Sequence, residues 1–357
     1  MSKFTKHICV LLTIAIIAGC MVLSSFALDR SETISFGEET LSNYVLNEVG
    51  KYIGMSEEII DENAEYSVSN AFPIEGNTDS MRRVFFTFKN EECIGQINAD
   101  YINGSYYSSY SSQHIPEVSK AYLSNNSIAL YSTDTSLVLI SGLESYTIYG
   151  EETNLPIVAM SVNPIEISLT TVDSVEKPLS TARAASFKYI NVPFKNNPSI
   201  SGHGLCWMAC VASMMGHFDS SYNLETMDVY NDMCDTYGLP SVGYFDGNYI
   251  PRAFSMYNHS INWTTGGLTY SQVRSSMLTN TPIMATLSGI NINNSNIQHA
   301  VVICGFDEYE TGEYYYRLMD PNDDSYQFVR IFRTYDSNFN YSPSYGISYN
   351  TWIARYW

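Results

Sequence analysis

An almost wholly apolar run, Cys206-Trp207-Met208-Ala209-Cys210-Val211-Ala212-Ser213-Met214-Met215, follows a loose entry through Gly202-His203-Gly204. A helix that is apolar all round is a buried one, and this run is too short to span a bilayer. The pattern therefore predicts a core helix with Cys206 in its first turn. Upstream, Leu41, Tyr44, Val45, Val49 and Ile53 recur at helical spacing within 39–53. Short alternating or β-branched runs then predict strands at 83–88, 93–97, 128–131, 136–140, 146–149 and 157–160, with a hairpin turning at Lys89-Asn90-Glu91-Glu92. Residues 169–186 are small or polar and show no period. Beyond them a strand is predicted over 189–194, and helices after Cys206 over 224–237, 251–257 and 271–278, the last capped by Thr269 or Ser271. Strands follow over 282–287, 300–305, 314–319, 326–332 and 348–356. Helices first and antiparallel strands later make an α+β domain in two halves, with a cleft between them as the place for a site.

These patterns divide the 357 residues into an α+β unit over 28–168, a linker over 169–186 and a second domain over 187–357. The first 27 residues have the form of an export signal: Lys3 and Lys6, the apolar run Ile8–Ala18, then small residues ending at Ala27. A lipobox-like alternative, Ile17-Ala18-Gly19-Cys20, is disfavoured because the apolar run continues past Cys20. The expected product is secreted, with no stable membrane insertion once the signal is removed. A formal net charge of −19 argues against nucleic acid or an anionic membrane as partner. Outside the leader the cysteines are Cys93, Cys206, Cys210, Cys234 and Cys304, an odd set at irregular spacing that makes no disulfide framework. The linker is a natural place for nicking, and Arg183 is one candidate cut point.

At a helix N-terminus, unpaired N–H groups and the dipole favour an anion, which is one way to lower a thiol pKa and make a nucleophile. Such a thiol needs a base and a group to fix that base. His299 stands at the threshold of the apolar strand Ala300-Val301-Val302-Ile303. The next strand, after a hairpin at Glu310-Thr311-Gly312-Glu313, ends in Met319-Asp320-Pro321. Two antiparallel strands so joined bring their outer ends together, setting Asp320 beside His299. Cys210 and Cys304 read as core residues. The histidine and cysteine spacings do not make a zinc site, and Asp320–Asp324 lacks the glycine and glutamate of a calcium loop. No metal or cofactor is expected. His114 reads as a solvated loop residue and Trp207 as a core aromatic.

Val192-Pro193-Phe194, Cys206-Trp207 opening a helix, His299-Ala300-Val301-Val302 with Gly305, and Asp320-Pro321 together resemble papain-like cysteine peptidases. Within that group they resemble the bacterial branch that includes bacteriocin-processing, double-glycine-leader peptidases. The resemblance implies a papain-like fold of a helical and a β subdomain, Cys206 as nucleophile, His299 as base and Asp320 as its orienting carboxylate. It also implies protein or peptide substrates and an N-terminal pro-domain acting in cis, a part residues 28–168 are placed to fill; that stretch further resembles the pro-segment of streptopain-like secreted peptidases. Such enzymes usually carry a glutamine before the cysteine as an oxyanion donor. None stands there, and Asn197, with Asn196 second, has the same amide on a shorter arm. A transglutaminase-like acyl transferase, a cell-wall amidase and a non-catalytic papain-fold binding protein are the alternatives at this point.

Overall fold

The computed structural model describes residues 40–57, 60–75, 82–102, 105–133, 136–150, 162–175, 187–200, 203–238, 249–290, 296–309, 312–323, 325–331, 341 and 348–357. The expected signal segment, Cys20, the strand at 157–160, Arg183 and the 176–186 part of the linker lie outside these residues. The chain falls into two units, 1–44 and 45–357. Only 40–44 of the first are described, as helix.

In the second unit, helix α1 (45–56) buries Val45, Val49 and Ile53, one face of a 3.6-residue repeat. Nine strands and a helix follow: β1 (Tyr66–Ser69), β2 (Phe72–Glu75), β3 (Arg83–Lys89), β4 (Glu92–Ile102), β5 (Ser105–Ser111), α2 (Pro116–Leu123), β6 (Ile128–Ser132), β7 (Ser136–Ser141), β8 (Glu144–Gly150) and β9 (Leu169–Thr171). The β3–β4 hairpin turns through Asn90 at φ 57°, a left-handed position that asparagine tolerates. β9 pairs with β1, so the first residues of the expected linker run in the sheet.

The C-terminal part begins with β10 (Phe187–Tyr189), β11 (Ser199–Ile200) and β12 (His203–Gly204). Helices α3 (Cys206–Phe218), α4 (Thr226–Tyr237), α5 (Tyr249–Met256) and α6 (Tyr270–Leu278) follow, with β13 (Trp263–Thr265) before α6. The last strands are β14 (Ile283–Ile290), β15 (Asn296–Glu308), β16 (Tyr314–Met319), β17 (Tyr326–Ile331) and β18 (Ser348–Tyr356). The fold is α+β. One expected strand is displaced: pairing covers 187–189 rather than 189–194, since after Ile190 N–H donates to Cys304 O the chain reaches Pro193, which has no N–H to give. Thr269 is the cap of α6, accepting from Gln272 N–H in a capping box.

α3 packs against α4, α5 and β15, and every residue from Cys206 to Met215 is buried. Each large apolar side chain so covered is worth roughly 1.5–3 kcal/mol relative to exposure. The main path of the large sheet runs β13-β18-β14-β15-β16-β17-β5-β4-β3-β2-β6-β7-β8. Strands from both sides of the linker thus meet at β17 and β5, where Phe328 lies opposite Tyr110. Ser111 Oγ and Gln327 Nε2 donate to Asp323 Oδ2 at 3.1 and 2.7 Å, and burial pushes this carboxyl up to about 7. α1 touches the β15–β16 hairpin: Tyr315 hydroxyl donates to Glu48, Tyr309 hydroxyl to the Lys51 carbonyl, and Lys51 Nζ lies 3.2 Å from Glu313.

Candidate active site

Cys206 is the first residue of α3, and its side of the helix is covered enough to leave the residue 9% exposed. Leu205 precedes it with no side-chain cap, and no acidic residue sits in the first turn. The helix N–H groups there are left for something outside the helix. An anion forming at or near the sulfur is the natural occupant.

His299 comes from β15, three residues before Val302, where β15 still pairs with β16 opposite Met319. Asp320 is the residue after β16 ends. A bulge at Cys304 lets the two strands twist without separating their outer ends. His299 Nε2 lies 2.7 Å from Asp320 Oδ1, and both residues are buried. The Cys206 side chain is a second hydrogen-bond partner of the ring. Burial opposes charge on this ring, but Asp320 beside it, helped by Cys206, holds His299 up to about 10. The three residues singled out in the sequence therefore meet, across 114 positions of chain between Cys206 and Asp320.

Asp320 has further partners that sequence reasoning missed. The main-chain N–H of Asn322 donates to Oδ1 at 2.8 Å, and the Tyr341 hydroxyl donates to Oδ2 at 2.6 Å. Tyr341 is fully buried. Three donors fix the direction of this carboxylate inside the protein. Tyr341→Phe is therefore expected to cost about 1.5–3 kcal/mol of stability and to lower kcat roughly tenfold with KM unchanged. Denaturant unfolding and steady-state kinetics on one preparation read both.

Asn197 is brought back toward the helix by the β11–β12 hairpin, in which Ser199 pairs with Gly204. Its amide lies on Gly204: a Cβ there would meet Nδ2 at 2.8 Å, so only glycine leaves the room. Nδ2 donates to Asn322 Oδ1, and Asn197 N–H donates to Pro321 O at 2.9 Å. Asn196 is exposed, its carbonyl taken by Thr226.

Of the remaining polar candidates, Cys210 lies one turn along α3 from Cys206 and close enough to Cys206 and Asp320 to interact with both. Cys210 and Cys304 are fully buried; burial raises the first well above its usual range and pushes the second up to about 12. His114 is half exposed and lies 2.9 Å from Glu92. Trp207 is buried against the core. Among the described residues no group of three or more His, Cys, Asp or Glu is placed to hold a metal ion.

Residues 189–347 match the model of the family described as Peptidase_C39 like family. By that match the segment is similar to cysteine peptidases of the papain-like kind. No curated protein matches the chain. Among solved structures, "Crystal structure of UfSP from C.elegans" overlaps at 11% identity and a TM-score of 0.26, covering 43% of this chain and 35% of that one. The peptidase match takes in Cys206, His299, Asp320, Asn197 and Tyr341, and leaves out everything before residue 189.

Proposed function

We propose that the chain is a secreted peptidase that hydrolyses peptide bonds through Cys206, His299 and Asp320, on a papain-like pair of subdomains, and is made as a zymogen. The observation that carries this reading is the buried His299 ring, which has both Asp320, 2.7 Å from Nε2, and the Cys206 side chain as hydrogen-bond partners. An imidazolium beside a thiol favours the thiolate. The Cys206 sulfur attacks the scissile carbonyl carbon, and the carbonyl oxygen takes up negative charge. The Cys206 main-chain N–H and the second Nδ2 hydrogen of Asn197 receive that charge. As the C–N bond breaks, His299 gives its proton to the leaving amine and a thioester remains. Water then attacks the thioester, His299 taking the proton and returning it to sulfur. Asp320 holds the ring in place throughout.

Residues 28–168 are the cis pro-domain in this reading, supported by their pairing with β17 beside the Asp320 turn. Cleavage in the linker, with Arg183 as one site, would mark maturation. Export through the first 27 residues suits the free-thiol enzyme to an extracellular protein or peptide substrate. No helix among the described residues is long and apolar enough to cross a membrane.

Limited iodoacetamide treatment at pH 6, followed by peptide mapping, tests the reading. Cys206 is expected to be alkylated well before Cys93, Cys210 and Cys304, whose thiols burial keeps protonated, and peptide hydrolysis is expected to stop in step with Cys206 labelling. Hydrolysis that survives complete labelling of Cys206 would refute it. Running the peptide panel with and without an amine acceptor separates hydrolysis from acyl transfer, since only hydrolysis leaves a free carboxylate.

A further inference from the structure

One short turn, Asp320-Pro321-Asn322, reaches both parts of the chemistry. Its carboxylate holds His299, and its Pro321 carbonyl accepts from the Asn197 main chain at 2.9 Å. Asn322 does both at once: its N–H donates to Asp320 Oδ1 at 2.8 Å while its side-chain Oδ1 accepts from Asn197 Nδ2.

A carboxamide has two ends of similar size and opposite hydrogen-bonding character, and the torsion that exchanges them is soft. The exchange matters for Asn197. With Nδ2 outward it offers a donor to a forming oxyanion; with Oδ1 outward it offers a lone pair that repels one. The Gly204 surface fixes where the amide lies, but it discriminates poorly between the two ends, since a Cβ at 204 would meet Nδ2 at 2.8 Å and Oδ1 at 3.1 Å. Asn197 Oδ1 is buried and has no hydrogen-bond partner, so that atom does not choose the orientation either. With the Asn322 oxygen facing it, only the Nδ2 end of Asn197 makes a bond there, because that oxygen only accepts. Of the two hydrogens on Asn197 Nδ2, one goes to Asn322 and the second is left to donate.

We propose that Asn322 is a positioning residue for oxyanion stabilisation, fixing the donor end of the Asn197 amide from the same turn that fixes the Asp320 carboxylate. This rests on the peptidase reading above and adds to it a physical link between the two halves of the site. Without the Asn322 oxygen, the Asn197 amide has no preference for the productive orientation. The loss falls on the transition state, where the charge is, and not on substrate binding.

The test is a four-protein series in the full chain: wild type, Asn197→Ala, Asn322→Ala and the double variant. Asn197→Ala is expected to lower kcat by roughly 100–1000-fold. Asn322→Ala is expected to lower kcat by about 10–100-fold with KM within about twofold. The double variant should be no slower than Asn197→Ala alone, because Asn322 has then nothing left to position. Iodoacetamide labelling of Cys206 builds no oxyanion and should keep its rate and pH profile in Asn322→Ala. If Asn322→Ala does not fold, Asn322→Ser keeps a turn-compatible side chain too short to reach the Asn197 amide and reads the same loss. Full activity of Asn322→Ala beside a slow Asn197→Ala overturns the link alone. Additive losses in the double variant, or slowed Cys206 labelling in Asn322→Ala, also overturn it by tying Asn322 to the His299 side. Full activity of Asn197→Ala overturns the oxyanion assignment and the proposal together, while the Cys206 labelling result still judges the nucleophile separately.

Discussion

Replacing Cys206 by alanine is expected to lower peptide hydrolysis by roughly 10⁴–10⁶-fold and to abolish any self-cleavage near Arg183. The size of the effect follows from how the site is built. Cys210 lies near Asp320, but it and Cys304 are fully buried and burial holds their protons. Neither is an ionised thiol ready to take over. The variant should still fold, because alanine occupies part of the same volume at the start of α3, and the ten-residue buried run of that helix loses only one sulfur. The measurement is the initial rate on a fluorogenic peptide, with intact mass recorded before and after incubation. A variant that hydrolyses at the wild-type rate would sink the assignment of Cys206.

Asp320→Asn is expected to cost roughly 10²–10⁴-fold in kcat and to change how stability depends on pH. The sign follows from His299. Its pKa in the folded protein is held up to about 10, against an ordinary 6.5. A group raised in this way contributes stability that is fully present below about pH 6.5 and is lost as pH rises through about 10. Burial alone would lower the ring, so removing the carboxylate removes that contribution and turns the charged ring into a liability. The melting temperature of the wild type should therefore exceed that of Asp320→Asn by a margin that grows as pH falls from 10 to 6.5. The alkaline limb of activity should move to lower pH in the variant. A constant margin over that range would show that the two side chains do not share a proton equilibrium.

Much of this geometry was legible because it depends on patterns the sequence carries locally. The α3 run has no polar face, so it had to be core, and the position of Cys206 at its start followed from the glycines before it. The His299–Asp320 meeting followed from a hairpin whose turn residue, Gly312, takes φ 88°. What stayed hidden depends on distant partners. β5 reads Ser-Tyr-Tyr-Ser-Ser-Tyr-Ser, polar enough to pass for a loop, and is a strand because β4 and β17 supply partners on both sides. Tyr341 reaches Asp320 from a stretch with no periodicity. Asn322 sits in an Asp-Pro-Asn turn, where an asparagine is explained by turn chemistry alone and gives no hint of the amide it faces. Asn197 was singled out as a candidate only because a family resemblance said what kind of group to look for.

The junction of β5 with β17 also bears on what the proposed maturation would leave behind. Every strand with an open side is a template for another chain, and β17 is spared that only by β5. A product stripped of residues 45–171 would present the β17 edge to solvent, with Phe328 uncovered and Asp323 parted from Ser111. Cutting the covalent connection does not by itself break the strand pairing or the Glu48, Lys51 and Tyr52 contacts made by α1. The peptide bond and the sheet are separate ties, and a protease that severs the first leaves a two-chain particle until something competes for the second.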